Sequence, residues 1–342
     1  MTRPLFDVLD GGLLTTVQDA GRPEWSHLGV PQSGAADPWS LAVANLLVGN
    51  DPSAAALELT LIGPTLMTRA TVTIGLAGAD LGARIKGGRR LAPGRSHRLA
   101  AGDVLEIAGD GPDAPATGGR AYLAIPGGVD VPIVLGSRST CLAGRFGGLD
   151  GRALRAADGI DAVTPLGGLV RPELVWPEPE VDRRSGDAGR PSPAVAAAVV
   201  LRVLAGPAVG LAALVGVDWR VGSAADRVGI RLDGGQLAAG SGGETTTHGT
   251  PWGAIQLPPD GRPIVLGVDH QTTGGYRVVG VVISADLAAL GQLRPGAPVR
   301  LVVTDRPAAL GALRAQRTAF QAGAGALRDA AGWGALTDLA GS

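Results

Sequence analysis

Apolar residues in this chain come in short runs fenced by glycine and polar turns. Thr71-Val72-Thr73-Ile74 is one such run. Val104-Leu105-Glu106-Ile107 follows the turn Ala101-Gly102-Asp103, and Tyr122-Leu123-Ala124-Ile125 ends at Pro126-Gly127-Gly128. Leu201-Arg202-Val203-Leu204, Ile264-Val265-Leu266 and the stretch from Val278 to Ile283 repeat the pattern later on. Many short strands bounded by turn residues predict barrels or sandwiches. Helical spacing is rare. The clearest helix opens at Asp37-Pro38-Trp39, with Asp37 as N-cap and Pro38 at the first helical position. Leu41, Ala44, Leu46, Leu47 and Val48 form its apolar side, and Gly49-Asn50 closes it. A second helix is predicted from near Asp305, with Pro307 in its first turn, to about Gln321. Residues 322–342 read as a loosely held tail with room for one more short helix.

The pattern breaks between residues 171 and 193. Pro172, Pro177, Pro179, Pro191 and Pro193 surround the charged stretch Asp182-Arg183-Arg184. Proline removes backbone donors and charge resists burial, so the segment reads as a linker or long surface loop. The expected organisation is an N-terminal β subdomain over 1–170, a Pro-rich linker over 171–197, a C-terminal β subdomain over 198–305 and an Ala-rich helical tail over 306–342. The halves echo each other faintly. Ser33-Gly34-Ala35-Ala36-Asp37 resembles Ser223-Ala224-Ala225-Asp226, and Leu57-Glu58-Leu59 resembles Ile255-Gln256-Leu257. Duplication and coincidence in an Ala/Gly-rich chain both account for this.

Composition sharpens the reading. The 342 residues include 55 Gly and 25 Pro, too many backbone punctuators for a long-helix protein. Disorder is excluded as well, because 45% of residues are hydrophobic and the net charge is only −1. Aromatics make up 3%, so the core must be Val, Leu, Ile and Ala. The near-zero charge argues against a nucleic-acid partner. One cysteine, Cys141, permits no internal disulfide and suits a reducing compartment. Without an apolar leader or a run long enough for a membrane span, a cytoplasmic location is expected.

Several chemistries fall away. Lys86 is the only lysine, and Gly87 follows it, so no P-loop is present. A biotin carrier needs a lysine between apolar residues, and a Ser-Ser-Lys amidase needs one at its centre. The setting Arg84-Ile85-Lys86-Gly87-Gly88 suits neither. No G-x-S-x-G elbow occurs. His27, His97, His248 and His270 lie far apart in sequence, so no metal site is expected. Polar residues instead concentrate in five Gly-rich segments: Thr15–Arg22, Gly29–Asp37 leading to Asn45 and Asn50, Gly136–Thr140, Ala225–Gly229 and Asp269–Tyr276. Such loops either lock their own turns or, on a rigid β scaffold, bind anions through arginine forks and backbone amides.

These segments carry a family resemblance. T-T-V-Q-D-x-G-R ends at Arg22, and G-V-P-x-S-G-A-x-D ends at Asp37. A-N-x-L-V-G-N runs from Ala44 to Asn50, and L-E-x-T-x-x-G from Leu57 to Gly63. Y-L-A-x-x-G-G-x-D spans Tyr122 to Asp130, and L-G-S-R-S-T spans Leu135 to Thr140. D-R-x-G at Asp226, G-A-I-Q-x-P-x-D-G at Gly253 and D-x-Q-T-T-G-G-Y at Asp269 complete the set. In this order they resemble the allophanate hydrolase subunit 2 family, which includes the C subunit of the bacterial 5-oxoprolinase, half of the urea carboxylase carboxyltransferase domain, and an antagonist of a sporulation-kinase inhibitor. Val228 and His270 depart from the usual residues, and residues 241–250 diverge from the usual loop.

The resemblance implies a mainly β fold of two cyclophilin-like β-barrel subdomains with a few short helices. It also implies separate partner chains: the 5-oxoprolinase B subunit, of the allophanate hydrolase subunit 1 family, and the A subunit. The leading expectation is an ATP-dependent opening of 5-oxo-L-proline to L-glutamate, with ATP, and Mg alongside it, as cofactor. The alternatives are a subunit of a biotin-dependent carboxyltransferase and a non-enzymatic antagonist. Such chemistry needs cationic donors and carboxylates. The candidate catalytic residues are Asp19, Arg22, Glu58, Asp226, Arg227 and Asp269. The candidate substrate-binding residues are Ser33, Asp37, Asn45, Ser137, Arg138, Ser139, Gln256, Gln271, Thr272 and Tyr276.

Overall fold

The computed structural model describes residues 4–109, 118–163, 173–177, 198–208, 210–235 and 244–332. Much of the expected linker, residues 236–243 and the last ten residues lie outside that set. The first half contains β1 (Phe6–Asp10), β2 (Leu14–Gln18), α1 (Pro38–Leu46), β3 (Ala56–Thr60), β4 (Thr65–Thr68), β5 (Val72–Gly78), β6 (Ala83–Ile85), β7 (Arg95–Leu99), β8 (Val104–Ile107), β9 (Arg120–Ala124) and β10 (Gly159–Ile160). They form two five-stranded sheets, β10-β1-β4-β8-β6 and β2-β3-β9-β5-β7. Leu57, Leu59, Leu66, Ile74, Leu105 and Leu123 fill the core between them. Strand β9 is buried along its whole length. Leu123 faces that core, while Tyr122 and Ala124 face the opposite way against α1. A strand covered on both faces loses the usual polar alternation.

The second half contains β11 (Val199–Ala205), α2 (Leu211–Leu214), β12 (Trp219–Val221), β13 (Gly229–Asp233), β14 (Glu244–Gly249), β15 (Ala254–Leu257), β16 (Ile264–Leu266), β17 (Thr273–Val282), α3 (Leu287–Gly291) and β18 (Pro298–Val303). The sheet order is β11-β18-β12-β13-β16-β15-β17-β14. Strand β11 pairs with β18 on one side and with β17 on the other, which closes a barrel. Here the alternation is plain: Ile230 and Leu232 point inward from β13, while Arg231 and Asp233 are exposed. The fold is therefore mainly β with few helices. The second half closes as a ring of strands, and the described part of the first is a pair of sheets around one core.

Helix α4 (Arg306–Ala331) corrects one expectation. It does not stop near Gln321: residues 322–331 of the segment expected to be loose continue the helix and are held. Gly323, Ala324 and Leu327 are its buried residues. Gly323 is required by a close approach: a Cβ there would sit 2.5 Å from Cζ2 of Trp176. Residues 173–177, expected within a linker, run beside β7. Ser96 and Leu174 exchange hydrogen bonds, and Trp176 N donates to Gly94 O. Among the described residues no helix is long and apolar enough to cross a membrane.

Candidate functional site

The polar segments meet at a buried seam between the halves. Glu58, at the centre of β3, is 1% exposed. Its Oε2 accepts from Tyr122 Oη at 2.7 Å and from Ala36 N at 2.9 Å. Its Oε1 accepts from Arg227 Nη1 at 2.5 Å and lies 3.5 Å from Arg120 Nε. Arg227 also donates from Nε to Asp269 Oδ2 at 2.7 Å, and from Nη2 to Asp269 Oδ1 at 3.1 Å and Gly34 O at 2.7 Å. One guanidinium from the second half thus holds a strand and a loop of the first.

A second contact lies alongside. Asp37 caps α1 by accepting from Ser40 N at 3.0 Å and Ser40 Oγ at 2.6 Å. It also accepts from Gln292 Nε2 at 2.7 Å. Gln292, just past α3, in turn accepts from Arg120 N at 3.0 Å and donates to Arg120 O at 2.9 Å. Arg120 Nη1 donates to Gly291 O. A Cβ on Gly291 would meet Ala36 O at 2.0 Å, so only glycine lets α3 come this close.

The electrostatics follow from burial and pairing. Burial pushes the Glu58 carboxyl up, yet Arg227 and Arg120 outweigh it and hold it below its ordinary value. Burial acts to lower Arg227, but Asp269 and Glu58 raise it overall. Asp37 is raised, because burial exceeds the help from Gln292 and Ser40. The Tyr122 hydroxyl is raised well above its usual range by burial and then by the charges of Glu58 and Asp37.

The loops carrying Asp19 and Arg22 form an adjoining lock. Asp19 accepts from Ser137 Oγ at 2.6 Å, Arg138 N at 2.5 Å, Gly21 N at 2.8 Å and Ser139 Oγ. Arg22 donates from Nη2 to Ser139 O at 2.6 Å and Ser137 Oγ at 3.3 Å. Its guanidinium lies 5.0 Å from the centre of the Phe146 ring. Burial lowers the pKa of Arg22, opposed by the charges of Asp19, Cys141 and Asp269.

The sequence-predicted residues therefore divide. Glu58, Arg227, Asp269 and Asp37 converge directly, and Asp19, Arg22, Ser137 and Ser139 form the neighbouring lock. Arg138 contributes its backbone N–H there, with its side chain 3.7 Å from Asp130. Asn45 does not join them: it donates to Ala54 O at 2.7 Å and accepts from Asn50 at 2.9 Å, pinning the end of α1. Asp226 is exposed and binds the N–H groups of Val228 and Gly229, which makes it a turn former. Gln271 and Tyr276 are exposed, and the Thr272 carbonyl accepts from Thr250 N. Gln256 is buried on β15, with its Nε2 close against Gly274. Among the buried groups without a hydrogen-bond partner among the described residues are Arg22 Nη1, Ser33 Oγ and Gln256 Nε2, together with Thr15 Oγ1, Gln18 Oε1, Arg120 Nε and Arg138 Nε.

Arg120, Tyr122 and Gln292 were not singled out in the sequence as site residues. The signal was present for two of them: an arginine and a tyrosine on a strand buried at every position demand partners. No group of His, Cys, Asp and Glu among the described residues could hold a metal.

The profile of the family described as "Carboxyltransferase domain, subdomain A and B" matches residues 28–303. The chain is 34% identical to the C subunit of 5-oxoprolinase from Escherichia coli (strain K12), over 93% of this chain and 97% of that protein. It resembles the crystal structure of TTHA0988 with a TM-score of 0.74 and 35% identity, covering 88% of this chain and 56% of that one. The crystal structure of the K. lactis urea amidolyase gives a TM-score of 0.79 at 28% identity, covering 94% of this chain and 20% of that one.

Proposed function

The chain belongs to the carboxyltransferase-domain family, subdomains A and B, and from that premise we propose that it acts as the C subunit of an ATP-dependent 5-oxoprolinase. The reaction adds water across the lactam of 5-oxo-L-proline to give L-glutamate and is driven by ATP hydrolysis. The observation that carries this reading is the end-to-end match to the Escherichia coli protein, 97% of whose length is covered. In the urea amidolyase the same fold is only 20% of the chain. The partner B and A subunits belong to the proposal.

Opening a lactam is hard because the amide nitrogen leaves poorly and the carbonyl is resonance-stabilised. The substrate offers a carboxylate, a ring N–H and a carbonyl oxygen. Arg227 and Arg120 are committed to Glu58, Asp269, Gly34 and the stretch around Gly291. They position the loops and are not free to grip an anion. We assign the carboxylate to Arg22, whose Nη1 is unpaired, assisted by Ser33. Gln256 is assigned to the lactam amide, with Gln271, Thr272 and Tyr276 on the outer rim. A triphosphate needs several free cationic donors. The paired arginines of the seam do not fit that need, so ATP is assigned to the assembled complex and not to this chain alone.

The test is reconstitution. Co-expressed with the B and A subunits, the chain should support ATP-dependent glutamate formation from 5-oxoproline, followed by amino-acid analysis. Omitting this chain should abolish it. No glutamate from the complete mixture would sink the reading. Biotin-dependent carboxylation of urea by such a mixture would favour the carboxyltransferase reading, which the likeness to the urea amidolyase structure supports.

A further inference from the structure

The chain is poor in aromatics, with six Trp, two Tyr and three Phe in 342 residues. Yet Trp39, Trp252 and Phe320 line a single cavity of about 340 Å³. Volumes of this order suit small-molecule sites. Three parts of the molecule build it. Pro38, Trp39 and Ala42 come from α1, Trp252, Ser284 and Leu287 from the second half, and Gln316, Arg317 and Phe320 from α4. Phe320 stands edge-on to Trp39, with ring centres 5.1 Å apart, and packs against Trp176 at 5.6 Å. The ring wall is thus braced from behind.

The polar lining is sparse and one-signed. Among the described residues, no Asp or Glu lines the cavity. Gln316 is occupied, donating to Ala285 O at 3.0 Å. Arg317 is exposed, and its guanidinium has no ion pair or hydrogen bond among the described residues. Flat apolar walls select a ring. An unpaired guanidinium at the edge selects an anion, and its planar fork favours a carboxylate. Aromatic walls could also attract a cation, but Arg317 would repel it and no carboxylate among the described lining residues would offset that.

We propose that this cavity binds a small molecule carrying one flat ring and one carboxylate. 5-Oxoproline lacks an aromatic ring, so the ligand is distinct from the substrate assigned above, and the proposal stands or falls separately from that activity. The cavity adjoins the seam, because Pro38 follows Asp37 and Trp252 lies two residues from Thr250, which donates from Oγ1 to Gln271 O.

Isothermal titration of the full chain with indole-3-acetate, indole-3-acetamide and tryptamine tests it. Saturable one-site binding of the acetate is expected, about tenfold tighter than the acetamide, with tryptamine weakest. Arg317→Gln should erase the preference for acid over amide and leave amide binding unchanged. Ala42→Trp should fill the cavity and abolish binding. Should that variant fail to fold by circular dichroism, Arg317→Gln and the acid–amide comparison still decide. The proposal is overturned if the acetate shows no saturable binding up to millimolar concentration, if acid and amide bind equally, or if a folded Ala42→Trp binds as before. It is also overturned if Ala42→Trp blocks assembly with a partner protein while no probe binds, since the occupant is then a protein segment.

Discussion

Arg227 spends its donors on Glu58, Asp269 and the Gly34 carbonyl while nearly fully buried. A buried ion pair is weak grounds for net stability, but removing one partner leaves an uncompensated charge. Lysine keeps the charge and loses the fork. Arg227→Lys should therefore lower folding stability by about 3 kcal/mol, read as a shift in urea midpoint with little change in slope. An unchanged midpoint would remove Arg227 from its positioning role. Two carboxylates of the seam respond oppositely to acid. Glu58 sits below its unfolded value of about 4.3. Its contribution is complete above that value and is lost as pH falls through the lowered one. Asp37 sits above its unfolded value of about 3.9. It favours the folded state in acid, an advantage lost as pH rises through the raised value. Between about pH 6 and pH 3, Glu58→Gln should flatten the acid-induced fall in urea midpoint and Asp37→Asn should steepen it. Parallel curves for both variants and the parent would refute these assignments.

At the scale of elements, α4 tests what sequence patterns reveal. Its N-terminus was legible: Asp305 caps it by accepting from Ala308 N at 2.8 Å, and Pro307 lies in the first turn. Its length was not: Gly323 and Gly325 are poor helix formers, so the local pattern does not carry the helix past Gln321. Gly323 is there to let Trp176 lie against the helix, a contact no local pattern encodes. Leu327, 1% exposed, joins the cluster around α1. Leu327→Ala should cost about 3 kcal/mol, and hydrogen exchange should show residues 322–331 protected in the parent. Fast exchange there would restore the loose-tail expectation. The strands were read from short apolar runs with turn residues at both ends, and α1 from its cap and proline. The site was half legible for the same kind of reason. Polar islands among apolar strands marked Arg227 and Asp269, and the L-E-x-T-x-x-G motif marked Glu58. Their convergence was hidden, because Arg227 and Glu58 are 169 residues apart. Gln292 gave no sign at all, since a glutamine after a short Leu/Ala helix looks like ordinary surface.

At the scale of the whole molecule, the seam decides whether the two halves behave as one body. Each has its own hydrophobic core, so each could melt alone if nothing bound them. Polar bridges oppose this: Arg227 to Glu58, Gln292 to Asp37 and to Arg120, and Arg120 to Gly291. All are buried or partly buried, so separating the halves would break the Arg227–Glu58 ion pair and leave Asp37 without its Gln292 donor. Helix α4 adds a covalent strap, following β18 of the second half and burying Ala324 and Leu327 against α1 of the first. One cooperative transition is therefore expected, with calorimetric and van't Hoff enthalpies in agreement. Gln292→Ala, combined with Arg227→Lys, should break that agreement. It would leave Asp37 without its cross-seam donor and Glu58 with a weaker partner, while both cores stay intact. The expected result in scanning calorimetry is a van't Hoff enthalpy well below the calorimetric one, or two resolved peaks. Two peaks in the parent protein would mean that the seam does not couple the halves. Because Arg22, Ser33, Gln271 and Thr272 lie on loops beside this seam, and Gln256 and Tyr276 on β15 and β17, such a result would also require the substrate site to be completed by a partner chain.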